Sequence, residues 1–353
     1  MPSQVQSIIR SSVRKEGEKL NILTFPTHER YESNICRTNH NFYSLAVPQY
    51  TKPGWDTDYA AIPENYIMLE DINNIPLNLD IDVVFSQNKY GQFDIAREIS
   101  KRYACPLVSL EHTCPPNREL TDPLTSSVFS PEMRLGMVES FSSKRGDINV
   151  FISEWSRDEW NWKGDSVVIH HGIDTDVFMS VTPVEERDND AISVVNDWVN
   201  RDWCCGYTLW ESVVRESKTP TKVVGKNPGL SEPARDVYDL SSKYNSSRIF
   251  LNTSIASPIP TTLLEAMSCG CAIVSTATGM IPEIVEHGYN GLISNDPKEI
   301  VGYVSDIRND PELAKRLSEN ATKTIQNDFS LNTFVERWNE IFLQAEIIGE
   351  KAK

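Results

Sequence analysis

The stretch Ser254–Leu292, SIASPIPTTLLEAMSCGCAIVSTATGMIPEIVEHGYNGL, constrains the fold of this chain more than any other. It reads as a Pro-punctuated loop (SPIPTT), a helix (LLEAM), a tight Cys-Gly turn and a buried strand (AIVST). A Gly turn leads to a second helix (PEIVEH), and a Gly-Tyr-Asn-Gly turn leads into another strand. Thr261 or Thr262 is expected as the N-cap of the first helix, its hydroxyl satisfying an amide of the first turn. Such a loop-to-helix start offers free backbone N–H groups and the positive end of a helix dipole, a ready site for a phosphate. Glu265 sits one turn further in, where a carboxylate can accept two hydrogen bonds from a vicinal diol such as a ribose.

The same rhythm runs through the rest of the chain. In the first half, apolar strands are expected at 21–26 (NILTFP), 81–87 (IDVVFSQ), in CPLVSLEHTCPP and in DINVFIS. A helix beginning near Ser33, the helix FDIAREISKRYA and the helix EWSRDEW separate them. The second half repeats the pattern with AISVVND, TKVVG and RIFLNTS as strands, and CCGYTLWESVVRES and DVYDLSSKY as helices. Short apolar strands alternating with helices predict a doubly wound parallel sheet. At 353 residues the chain is long for a single core and suits two such α/β domains. The expected division is 1–175, 176–330 and a final helix, 331–353, with Phe334, Trp338, Ile341, Phe342 and Ala345 on one side.

Composition excludes several function classes. A net charge of −16 with no Lys/Arg cluster disfavours nucleic acid and anionic lipid as partners. No apolar run approaches the roughly 18 residues of a membrane span. The first twenty residues lack the apolar core of a secretory signal, so a cytoplasmic location is expected. Seven cysteines without CxxC pairing read as reduced thiols in that compartment, where the sequons at Asn245, Asn252 and Asn320 are chance features.

The segment around Glu265 resembles the donor-binding half of the retaining GT-B glycosyltransferases of family GT4, the group 1 glycosyl transferases. Their signature is a Glu, seven residues, then a second Glu followed by Ala-Met, a small residue and Gly. Glu265, Ala266, Met267, Cys269 and Gly270 match its second half, while Ser257 stands at the first Glu. IDVVFSQ through EHTCPP looks like the family's strand, helix, strand and His order, and VVIHHGIDTDVF looks like its interdomain segment. Relatives carry a Gly-Gly pair after the first strand; here the residues are Thr27-His28-Glu29-Arg30. The chain is also short between TKVVG and RIFLNTS, where the usual fold has an additional helix or strand. The resemblance implies two Rossmann-like domains facing a cleft, with the last helix crossing back to the first.

It also implies a reaction, transfer of a sugar from a nucleoside-diphosphate sugar with retention. Such chemistry needs donors at the departing phosphate and acceptors for sugar hydroxyls. Glu265 would take the ribose, and Thr261 and Thr262 would present donors to the phosphate. Arg201, in NDWVNRDWCCG, would neutralise the diphosphate, assisted by Gly225 and Lys226 at the end of TKVVG. Ser257 and His112 would contact the transferred sugar, and His28 and Glu29 would lie on the acceptor side. Glu111 is expected to pair with a neighbour instead. No cofactor or metal is expected. The donor is a substrate, UDP-sugars being preferred, and the acceptor is a saccharide or small molecule; a homo-oligomer is allowed. The alternatives are a degenerate protein that binds nucleotide sugar without turnover, and a phosphorylase or epimerase of the same fold.

Overall fold

The computed structural model describes residues 17–351 apart from 50, 58, 77–78, 116–129 and 257–258. The chain divides into two compact units. The first holds the described residues up to Pro115, Glu132–His170 and Asn332 onward; the second is built on His171–Leu331.

The first unit begins with β1 (Asn21–Thr24), α1 (Glu29–Cys36), β2 (Asn41–Leu45), β3 (Tyr66–Leu69) and β4 (Val83–Ser86). It continues with α2 (Gln92–Tyr103), β5 (Leu107–Glu111), α3 (Pro131–Phe141), β6 (Ile148–Phe151), α4 (Glu154–Glu159) and β7 (Val167–Val168). Its seven strands are all parallel, in the order β3-β2-β1-β4-β5-β6-β7. The second unit runs β8 (Asp188–Val194), α5 (Asp202–Cys205), α6 (Tyr207–Ser217), β9 (Thr221–Val224), α7 (Val237–Asn245) and β10 (Ser247–Asn252). It goes on through α8 (Thr261–Ser268), β11 (Ala272–Ser275), α9 (Ile281–Ile284), β12 (Leu292–Ile293), α10 (Pro297–Asn309) and α11 (Pro311–Asp328). These strands form a parallel five-stranded sheet in the order β12-β11-β10-β8-β9. The last helix, α12 (Leu331–Lys351), returns to the first unit.

Strand alternation explains both faces of each sheet, because successive side chains point to opposite sides. In β10, Phe250 joins a core with Leu240 and Tyr244 of α7 and Leu263 and Met267 of α8. Its neighbours Ile249 and Leu251 join the opposite core with Trp210 of α6 and Ile300 and Val304 of α10. In the first unit, Leu23 and Val84 face Phe93, Ala96 and Ile99 of α2. On the other side, Phe85 meets Trp338 at 5.1 Å and Phe342 at 5.6 Å between ring centroids. Trp338 also donates its Nε1–H to the Tyr31 hydroxyl at 3.2 Å. The apolar stripe read from the sequence is thus the surface that seats α12 on β1–β4.

Three local expectations need correction. The first helix starts at Glu29, ahead of Ser33, because the His28 ring accepts the Tyr31 amide as its N-cap and Glu29 and Glu32 occupy the first turn. The strands β2 and β3 were not foreseen: β2 mixes polar and apolar residues, and β3 lies at the sheet edge with Ile67 and Met68 exposed. In α8 the N-cap is Pro260, with no side-chain cap bond, so Thr261 and Thr262 are its first two residues and neither is the cap. Proline preceding a first turn has a preset φ and offers no hydroxyl. The shortness between β9 and β10 is real, with α7 the only helix between them.

The sheet orders place a topological switch between β1 and β4 in the first unit and between β8 and β10 in the second. At such points consecutive connections leave toward opposite faces, and the carboxyl ends of the strands open a crevice.

Candidate functional site

At the switch of the second sheet, the loops after β8 and β9 are laced together. Lys226 N–H donates to Asn196 Oδ1 at 2.9 Å, and Asp197 N–H donates to the Lys226 carbonyl at 3.0 Å. Asn227 closes the seam, accepting the Trp198 amide at 2.7 Å and donating to the Val195 carbonyl at 2.8 Å. Gly225 permits this approach: its φ is +141°, and a Cβ there would meet the Val195 carbonyl oxygen at 2.0 Å. The seam brings the exposed side chains of Arg201 and Lys226 onto adjoining loops. Arg201 Nη1 lies 3.4 Å from the Asn196 carbonyl. Gly225→Ala is expected to cost roughly 2–3 kcal/mol, the strain of a forbidden backbone angle together with the clash. A melting temperature within a degree of the parent would refute that reading.

From β10, the chain passes through Thr253–Ala256 to α8. Ser257 lies outside the described residues. In the first turn of α8 the Leu263 amide donates to the Pro260 carbonyl at 2.9 Å, and Thr261 and Thr262 ahead of it are half-buried. Glu265 is 3% exposed and accepts the Tyr244 hydroxyl at Oε2, 3.0 Å away. It is therefore no solvated helix carboxylate. Tyr244 is wholly buried, and burial, then the Glu265 charge, push its phenol well above its ordinary pKa, so it stays a proton donor. The structure thus brings Arg201, Gly225 and Lys226 together on one seam, with Thr261, Thr262 and Glu265 on the helix that follows β10. Tyr244 was missed, since no sequence pattern links a helix residue to a carboxylate 21 positions on. The Asp-x-Asp spacing at Asp188 and Asp190 is taken up by Lys222, whose Nζ lies 3.0 and 2.9 Å from the two carboxylates.

The first sheet's switch carries its own cluster. The His28 and His112 rings stack at 6.4 Å between centroids, and Tyr31 meets His112 edge-on at 4.5 Å. His112 Nε2 lies 3.4 Å from Gln87 Oε1. Gln87 Nε2 in turn donates to Glu32 Oε1 at 3.0 Å. Glu32 also accepts the Thr27 and His28 amides at 3.0 Å and the Tyr66 hydroxyl at 2.8 Å, and burial raises its pKa. This buried polar network ties the ends of β1 and β4 to α1, and sequence reading missed it because its members are scattered over five segments. Glu29 is committed elsewhere. Its carboxylate pairs with Lys52 at 2.8 Å and accepts the Asp56 amide at 3.2 Å, which ties it to the loop after β2. Glu111 accepts the Lys89 amide at 2.9 Å and Thr113 Oγ1 at 2.6 Å, as a pairing residue should.

Burial holds the His28 imidazole below its ordinary pKa of 6.5. The unfolded chain then binds more protons than the folded one just below pH 6.5, so stability falls as pH drops through that value toward the folded pKa. His28→Asn keeps a capping acceptor and removes the titration. Urea unfolding is expected to show the variant gaining on the parent between pH 7.5 and 5; a constant gap would refute it.

Two parallel-sheet α/β domains of this topology define the GT-B class. Over 92% of the chain and 99% of the other, the structure resembles sucrose-phosphate synthase from Thermosynechococcus elongatus, with a TM-score of 0.68 at 13% identity. It resembles HepE of Anabaena, solved in complex with UDP, over 93% of this chain and all of that one, with a TM-score of 0.71 at 14% identity. Residues 234–324, within the second unit, match the family described as Glycosyl transferases group 1. Among curated relatives, N-acetyl-alpha-D-glucosaminyl L-malate synthase of Bacillus anthracis is 29% identical over 82 residues, 23% of this chain and 22% of that one. Alpha-maltose-1-phosphate synthase of Mycobacterium tuberculosis is 28% identical over 106 residues, 28% of this chain and 27% of that one. The matches span about a quarter of these relatives' length.

Proposed function

We propose that this protein is a retaining glycosyltransferase that takes a sugar from a nucleoside-diphosphate donor bound at the switch of its second sheet, without a metal. One observation carries the reading: α8, with Glu265 held by Tyr244, begins after β10 at the switch, and the seam bearing Arg201 and Lys226 follows β8 and β9. Glu265, held at Oε2 by Tyr244, is assigned to the donor ribose. Charge developing on the departing diphosphate is stabilised by the α8 amides, Arg201 and Lys226, so protein groups do what a metal does elsewhere. Ser257 and His112 are assigned to the transferred sugar and His28 to the acceptor. HepE was solved with UDP, which supports UDP as the nucleotide here.

Thermal-shift titration against UDP-, GDP- and ADP-sugars tests the donor, since a bound ligand raises the melting temperature by mass action. A UDP-sugar is expected to give the largest rise, and no rise with any of the three would refute the reading. A second reading, a binder without turnover, is favoured by the loop after β1. That loop is occupied by the His28 cap and the Glu29–Lys52 pair in place of a glycine turn. Donor hydrolysis or transfer above background excludes it.

A further inference from the structure

We propose that Cys204 and Cys205 form a redox-responsive vicinal dithiol, which a peroxide-class oxidant closes into a disulfide, and that closure loosens Ile255 and Ala256 from the Cys204 carbonyl at the end of α5. The two sulfurs are 3.5 Å apart; adjacent Cα atoms lie about 3.8 Å apart, short of the usual disulfide span of about 4.4–6.8 Å, so closure requires the intervening peptide to turn. Cys204 is buried and Cys205 half-buried, so an oxidant as small as peroxide reaches the pair from the Cys205 side, whereas Cys36, Cys269 and Cys271 are buried with their thiols pushed up by desolvation. Cys204 goes the other way. The hydrogen bond shared with the Cys205 thiol, aided by the Arg201 charge, lowers its pKa and favours the thiolate on Cys204.

The chemistry balances with one peroxide. The Cys204 thiolate attacks a peroxide oxygen and the O–O bond breaks. The departing oxide takes a proton and leaves as water or an alcohol, and Cys204 becomes a sulfenic acid. The Cys205 sulfur then attacks the Cys204 sulfur, the S–O bond breaks, and hydroxide leaves with the Cys205 proton as water. Two thiols lose two electrons in all, and the peroxide gains them.

Closure reaches beyond the sulfurs because the ring formed contains the Cys204–Cys205 peptide. The Cys204 carbonyl accepts the Ile255 and Ala256 amides at 2.8 and 3.1 Å. The Cys205 carbonyl accepts Trp198 Nε1 at 2.9 Å and Thr253 Oγ1 at 3.3 Å. Gly206 follows in the left-handed region, and a Cβ there would meet the Thr253 carbonyl at 2.0 Å. Turning this peptide moves the Cys204 carbonyl that holds Ile255 and Ala256, while the Ser254 carbonyl keeps the Thr276 and Thr278 hydroxyls.

The test treats the reduced full-length protein with equimolar hydrogen peroxide, then alkylates it under denaturing conditions and maps peptides by mass. The peptide carrying Cys204 and Cys205 is expected to lose two hydrogens and resist alkylation, with dithiothreitol restoring it. Cys36, Cys269 and Cys271 should remain alkylatable. Hydrogen exchange at Ile255 and Ala256 is expected to speed up about tenfold, the mark of a lost local restraint. Cys205→Ser should show neither change. Alkylation of both thiols after peroxide, or closure with unchanged exchange, would overturn the proposal. Weaker UDP binding by the oxidised protein is a further expectation that rests on the donor reading. If the reduced protein fails to bind UDP, that reading falls while the mass and exchange results still judge the dithiol.

Discussion

Glu265→Ala is expected to abolish the thermal shift given by the preferred nucleotide sugar, with binding about a hundredfold weaker. A hydrogen bond to a charged acceptor contributes roughly 1.5–3 kcal/mol, and 1.4 kcal/mol is a factor of ten. The alanine variant also leaves the buried Tyr244 hydroxyl without its acceptor, at a stability cost of about 1–3 kcal/mol. Glu265→Gln separates the two effects. Its amide oxygen still accepts from Tyr244, but a ribose loses the charged partner. The glutamine variant should melt near the parent in the absence of ligand and bind the nucleotide sugar tenfold or more weakly. Calorimetry on the parent, Glu265→Gln and Tyr244→Phe measures both quantities. Affinity unchanged in the alanine variant removes Glu265 from the site.

The largest effect on stability is expected at Lys89, which is fully buried in the first unit. Its Nζ donates to Ser109 Oγ at 2.9 Å, the Lys144 carbonyl at 2.8 Å and Asn149 Oδ1 at 3.1 Å. It also lies 4.7 Å from the Trp162 ring centroid and 5.5 Å from that of Phe141. Lys89→Met fills the space but strands three buried acceptors, a loss of roughly 3–5 kcal/mol. Desolvation draws the Lys89 pKa down to about 7. Between about pH 7 and 10.4 the unfolded lysine then holds its proton while the folded one has lost it, so the contribution of Lys89 to stability rises with pH. The slope for one group is at most about 1.4 kcal/mol per pH unit. The methionine variant lacks this gain, so its deficit should widen from pH 7 to pH 9.5. Burial raises the pKa of Tyr31, Tyr66 and Tyr244 and of Cys36, Cys269 and Cys271, so ionisation of these groups in the unfolded chain lowers stability as pH rises, equally in parent and variant, and drops out of their difference. Urea unfolding at the two pH values decides it; a variant as stable as the parent, or a deficit independent of pH, would refute the role given to Lys89.

Legibility in the sequence followed locality. The strands β1, β4, β5, β6, β8, β9, β10 and β11 were readable because each is a short apolar run bounded by turn residues. The strands β2 and β3 were not, because their pairing with β1 and with each other decides them and their composition does not. The α1 start was misplaced for a similar reason. A histidine is a weak predictor of an N-cap, and only its position beside Tyr31 makes it one. At the candidate site, Glu265, Thr261 and Thr262 were legible from their place after a strand and a proline loop. The role of Glu29 was not, since Lys52 reaches it from a loop 23 residues away.

The sequence by itself determined the alternation of strand and helix, the two α/β units and the helix that follows β10, because these depend on periodicity and turn residues within short windows. Only the tertiary structure decided the strand order and its switch points, the Asn196–Asn227 seam that sets Arg201 beside Lys226, and the tyrosine that holds Glu265. Each of those depends on which distant segments meet once apolar faces are buried, and that is settled by packing across the whole chain and by no local pattern.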